Sequence, residues 1–101
     1  MERIRMAFDL SELKRRVLDG PGATSPQLRR AAAKGIGLPE KVAAYISKVH
    51  TAAYRVTDQD VSALLEAGLS EDEIFELTVS AALGAGMTRL EAGMRALKGR
   101  I

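Results

Sequence analysis

The sequence predicts an all-α fold: one domain of about five helices ending in a long C-terminal helix. Three observations predict it. Apolar residues recur at helical period, most clearly Val42, Tyr45, Ile46, Val49 and Ala53. Helix-start signals punctuate the chain, with Thr57 followed by Asp60 and Ser70 followed by Glu73 three residues on. No segment alternates apolar and polar residues as a strand does.

Asp9 is placed to cap the first helix, with Glu12 at its third position and Phe8 and Leu13 as a hydrophobic staple. Leu10, Leu13 and Val17 follow at helical spacing, and Gly20-Pro21-Gly22 ends the run. Ser25 caps a second helix that opens on Pro26, continues through Leu28 and Ala31-Ala32-Ala33, and stops at Gly35. Arg29, Arg30 and Lys34 are expected on its outer, solvated face. Pro39 opens the third helix. Thr57 opens the fourth, whose buried edge is expected to be Val61, Leu64 and Leu65, and Gly68 follows its end.

Ser70 starts the fifth helix, and Glu71, Asp72 and Glu73 suit the positive end of its dipole. No stop follows until Lys98-Gly99. Between Ile74 and Leu83 this helix is apolar nearly all round, which one small chain can hardly cover. A partner subunit is therefore expected, so the chain reads as a homo-oligomer. Phe75, Val79, Leu83, Leu90, Met94 and Leu97 form the expected interface; Ile74, Leu77, Ala81 and Ala85 form a second face. The small run Gly84-Ala85-Gly86 allows another backbone to approach, or else marks a kink.

The chain of 101 residues contains no cysteine and one histidine. Thiol catalysis, disulfides and thiolate metal sites are excluded, and a multi-histidine cage cannot form within one chain. No metal or cofactor is expected. Aromatics, at 4%, are too few for a base-stacking platform. The charge is skewed: residues 1–41 carry nine Lys/Arg and five acids, residues 42–101 six and eight. A basic surface meeting phosphates, or acting as a nucleic-acid or protein adaptor, is one reading of the first third. Acids interleave there, and a helix-turn-helix over Thr57 to Ala81 would present Glu71-Asp72-Glu73 to phosphate, so nucleic acid is not the favoured partner. Charge begins at Glu2, and no run reaches the ~18–20 apolar residues of a membrane span. The expectation is a cytoplasmic protein with no membrane partner.

Residues Thr57-Asp58-Gln59-Asp60-Val61, then Ala67-Gly68-Leu69-Ser70-Glu71-Asp72-Glu73-Ile74-Phe75-Glu76-Leu77, form an ordered run. Ala81-Ala82-Leu83-Gly84-Ala85-Gly86 and Arg89-Leu90 extend it. With these residues the segment 38–97 resembles the alkylhydroperoxidase D-like / carboxymuconolactone decarboxylase superfamily. The resemblance implies a helical core over 38–101, with 1–37 as an N-terminal helical extension packed on it. Redox members of that family carry two cysteines three residues apart and a histidine four residues after the second. Those positions fall near Tyr54, Thr57 and Val61, and none is conserved in type here. The resemblance thus implies the family's fold without its cysteine peroxidase chemistry.

Two further site readings follow. Tyr54, Arg55, Thr57 and Asp58 replace the family's catalytic segment and could line a remnant pocket for a small polar or anionic ligand; helix capping explains Thr57, Asp58 and Asp60 without one. A non-redox enzyme would use His50 as general base with Tyr54, and Asp58 or Glu76 as orienting acid. Against it stands a boundary histidine with an ordinary hydrogen-bond partner.

Overall fold

A computed structural model describes residues 10–99. It is all-α. The elements are α1 (Leu10–Asp19), α2 (Pro26–Lys34), α3 (Glu40–Ala52), a short 3-10 turn (Ala53–Arg55), α4 (Asp58–Glu66) and α5 (Glu71–Gly99). Asp9 and Phe8, the expected cap and staple of α1, lie outside the described residues.

The caps read from sequence close the helices as expected. Ser25 Oγ accepts from Leu28 N at 3.1 Å, and Pro26 follows at the first helical position. Thr57 and Asp60 form a reciprocal capping box: Asp60 N donates to Thr57 Oγ1 (3.3 Å) and Thr57 N to Asp60 Oδ2 (2.8 Å). Ser70 and Glu73 repeat the arrangement at 3.1 and 2.8 Å. Between these two boxes α4 must stop and reverse within four residues. Gly68 does this at φ +104°, with Gly68 N bonding Leu65 O (3.0 Å) and Leu69 N bonding Leu64 O (3.1 Å). A left-handed glycine is what lets both orphan carbonyls be satisfied at once.

The core is aliphatic. Val42, Tyr45, Ile46 and Val49 of α3 pack with Leu64, Leu69, Ala32 and the inner face of α5, Ile74, Leu77 and Ala81. Tyr45 brings its polar end in by bonding Thr78 Oγ1 at 2.7 Å, and Thr78 in turn donates to Ile74 O. Two expectations are corrected here. Ala53 leaves the α3 stripe, because the chain tightens into the 3-10 turn after Ala52 and exposes it. Leu65 is exposed as well, since on α4 only Leu64 points at α3 and α5, with Val61 at the margin.

Helix α5 runs unbroken for 29 residues, about 43 Å at 1.5 Å per residue. Gly84 is not a kink. A methyl group there would lie 2.7 Å from Ala33 Cα and still nearer the Ala33 carbonyl oxygen. The backbone that approaches it is therefore α2 of the same chain, and not that of a second subunit. The apolar girdle Ile74–Leu83 is likewise covered on one side by the chain itself: Ile74, Leu77 and Ala81 are buried, whereas Phe75 on the opposite side is 68% exposed. From Thr88 to Gly99 every residue is exposed, so the end of α5 projects beyond the bundle.

Gly84→Ala tests this crossing. Alanine normally stabilises a helix interior by ~1 kcal/mol over glycine, but here the clash with Ala33 should outweigh that and lower stability by about 1–3 kcal/mol. Chemical denaturation reads the sign; a stabilised variant would mean that α2 does not sit against α5 at this point.

Candidate functional site

The residues singled out from sequence do not converge. Tyr54 is 88% exposed on the 3-10 turn, Arg55 and Asp58 are exposed, and Thr57 serves as the cap of α4. His50 turns the other way: its Nε2 lies 2.8 Å from Ala32 O on α2, an ordinary boundary contact. Lys48, also on α3, bonds Asp60 Oδ2 at 2.9 Å. With the Thr57 backbone amide, that ammonium holds the Asp60 carboxyl below its ordinary range. These polar groups are engaged in holding α3 to α2 and α4.

Glu76 sits on another face and has a different task. Its carboxylate accepts from Ala23 N (2.7 Å), Thr24 N (2.8 Å) and Thr24 Oγ1 (2.5 Å), pinning the α1–α2 loop to α5. Arg29 of α2 completes the clasp on the same loop. It was expected on the solvated face of α2, yet it is 3% exposed. Its Nη atoms donate to Val17 O (2.9 Å), Gly20 O (2.7 Å) and Thr24 O (3.2 Å). The physical reason is the C-terminus of α1, whose carbonyls have no intrahelical donors and attract a cation. The Thr24 hydroxyl, then the Ala23 amide, then Arg29 nearby hold the Glu76 carboxyl below its ordinary value.

One surface gathers binding chemistry. A groove of about 230 Å³ runs between α1, α2 and α5. Leu18, Ala33, Leu83 and Met87 supply its apolar lining, and Lys14, Arg30 and Lys34 its cations, against one carboxylate, Glu91. Arg30 is committed to Asp19 through a two-oxygen contact at 2.5 Å. Among the described residues Lys14 and Lys34 have no carboxylate partner. Gly84 lies in the groove wall, so the α2–α5 crossing also sets its width. A second, wider depression lies across α2, lined by Lys34, Ile36, His50, Thr51 and Arg89. Arg89 Nη2 donates there to His50 O at 2.8 Å.

Sequence reasoning named Arg30 and Lys34 as basic residues but assigned them to open surface. The missing signal was the depth of α2's seat on α5, which small residues at 33 and 84 could have suggested. Among the described residues no group of three or more His, Asp or Glu side chains could hold a metal ion. No helix among them is long and apolar enough to cross a membrane. The chain matches no family model, and no curated protein or solved structure is significantly similar to it.

The Glu76 clasp has a measurable pH signature. Its carboxyl titrates lower in the fold than its ordinary 4.5, so its bonds stabilise the fold above that value, and the contribution is lost as pH falls through the lowered folded value. Glu76→Gln should cost about 1–2 kcal/mol at neutral pH and flatten the loss of stability on acidification below pH 4.5. Denaturant midpoints across that range check both parts; an unchanged acid slope would remove Glu76 from the clasp.

Proposed function

We propose that this chain is a cysteine-free relative of the alkylhydroperoxidase D-like proteins that binds a small anionic amphiphile in the α1–α2–α5 groove. The family part of this reading rests on the ordered run from Thr57 to Leu90 and on its placement: a capped helix, a glycine reversal, then a long helix with an acidic start. Tyr54, Thr57 and Val61 stand near the positions where the redox members of that family carry two thiols and an imidazole. With no thiolate in the chain, disulfide exchange has no nucleophile.

The ligand part rests on one observation: two lysines that have no carboxylate partner among the described residues, beside an aliphatic lining. An ammonium so placed favours a carboxylate or phosphate head group, and Leu18, Leu83 and Met87 favour a short hydrocarbon tail. The volume lies below the ~300–1,000 Å³ of ordinary small-molecule sites, which limits the tail to a short one.

Octanoate is the probe, with octylamine and inorganic phosphate as controls. Octanoate should bind saturably and perturb the Leu83 and Met87 methyl resonances, whereas octylamine should not. Joint replacement Lys14→Gln and Lys34→Gln should weaken octanoate at least about tenfold while leaving the melting temperature of the free protein unchanged. Equal binding of octylamine, or octanoate binding indifferent to the two lysines, would overturn the assignment. Phosphate binding as tightly as octanoate would show that the apolar lining contributes nothing.

A further inference from the structure

The solvent side of α5 carries an apolar stripe that the described residues leave uncovered. Phe75, Ala82, Leu90 and Leu97 are exposed on it, with Val79 at its edge and Leu83 and Met94 beside it. Two glycines interrupt the stripe, Gly86 and Gly93. A methyl group added at either meets nothing within 4 Å, so nothing in the bundle requires them there, although each costs a helix interior ~1 kcal/mol relative to alanine.

The positions along the stripe are 75, 79, 82, 86, 90, 93 and 97. Their spacings, 4, 3, 4, 4, 3 and 4, read the same in both directions about Gly86. The mean spacing of about 3.7 is near the helical period, so the row stays on one face over most of the helix. If a second α5 lies antiparallel with a two-fold axis at Gly86, Phe75 meets Leu97, Val79 meets Gly93 and Ala82 meets Leu90. At the two inner levels a larger residue faces a small one, and at the axis two glycines let the backbones close. Such a contact is isologous and closes on itself as a dimer.

Charge selects the same orientation. The first turn of α5 carries Glu71, Asp72 and Glu73, and its last turn carries Lys98. The antiparallel register sets Lys98 level with position 74 of the partner, beside that acidic turn. A parallel pair would set acid against acid and Lys98 against Lys98, which is unfavourable on both counts.

We infer that two copies of this chain pair through α5, antiparallel, about a two-fold axis at Gly86. The occupant of the uncovered stripe is a second copy of the chain. The α1–α2–α5 groove lies beside this seam, and the pairing stands independently of what the groove binds.

Sedimentation equilibrium on the full chain should give a dimer at tens of micromolar. Leu90→Glu places a carboxylate in the seam and should raise the dimer dissociation constant at least about tenfold. Because position 90 is exposed in the single chain, the helical circular-dichroism signal of this variant should be kept. The native chain has no cysteine, so single replacements report the register directly. Gly86→Cys should form a disulfide-linked dimer on mild oxidation. Phe75→Cys alone should not, but should cross-link to Leu97→Cys when the two variants are mixed. A monomer at these concentrations, with the stripe bare or covered by another part of the chain, would overturn the inference. So would a dimer unaffected by Leu90→Glu, or efficient self-cross-linking of Phe75→Cys, which would indicate a parallel pair.

Discussion

The rest of the molecule depends on how closely α2 can approach α5. Ala33 and Gly84 meet with no room for one further carbon, so two backbones come together where two larger side chains would have held them apart. That approach lets Ala32 enter the core beside Ile46 and Leu77, and it places the end of α2 close enough for Ala32 O to meet His50. It also leaves α1 and α2 leaning along one flank of α5, which creates the groove containing Leu18, Leu83 and Met87. Small residues at the crossing thus let α2 seat closely on α5 beside an aliphatic core.

A second constraint is electrostatic and local. The loop between α1 and α2 is held by opposite charges, with Glu76 taking its free amides and Arg29 its free carbonyls. Each charge satisfies backbone groups that a helix end or a turn leaves without partners, and the two lie near enough to attract. Buried charge is costly unless bonded in this way. These residues therefore belong to the scaffold, which removes them from the chemistry that a cluster of acids and bases would otherwise suggest. The cations left over, Lys14 and Lys34, are the ones that give the groove its character.

The two faces of α5 divide its work. Ile74, Leu77, Ala81 and Ala85 are covered by the chain itself, and among the described residues nothing covers the opposite stripe. A helix that is apolar on both sides contributes its inner face to folding and leaves its outer face exposed. The groove and the stripe adjoin along Leu83 and Met87, so a ligand and a partner would sit on neighbouring strips of the same helix.

Local chemistry is what the sequence by itself determined. Ser25, Thr57 and Ser70 start helices because their oxygens reach amides three residues away, and Gly68 reverses the chain because a glycine readily accepts the required backbone angle; neither needs a distant partner. The apolar period of α3 marked its buried side for the same reason. What only the tertiary structure decided concerns contacts between residues far apart in the chain. Arg29 reads like Arg30 in sequence, and only the end of α1 draws it inside. Glu76 reads as a candidate orienting acid, and only the loop around Thr24 turns it into a clasp. Tyr54, adjacent to helix signals and expected at a pocket, stands in solvent because the 3-10 turn swings it outward. Spacing along a chain fixes which side of a helix a residue occupies, but not which other helix lies across from it.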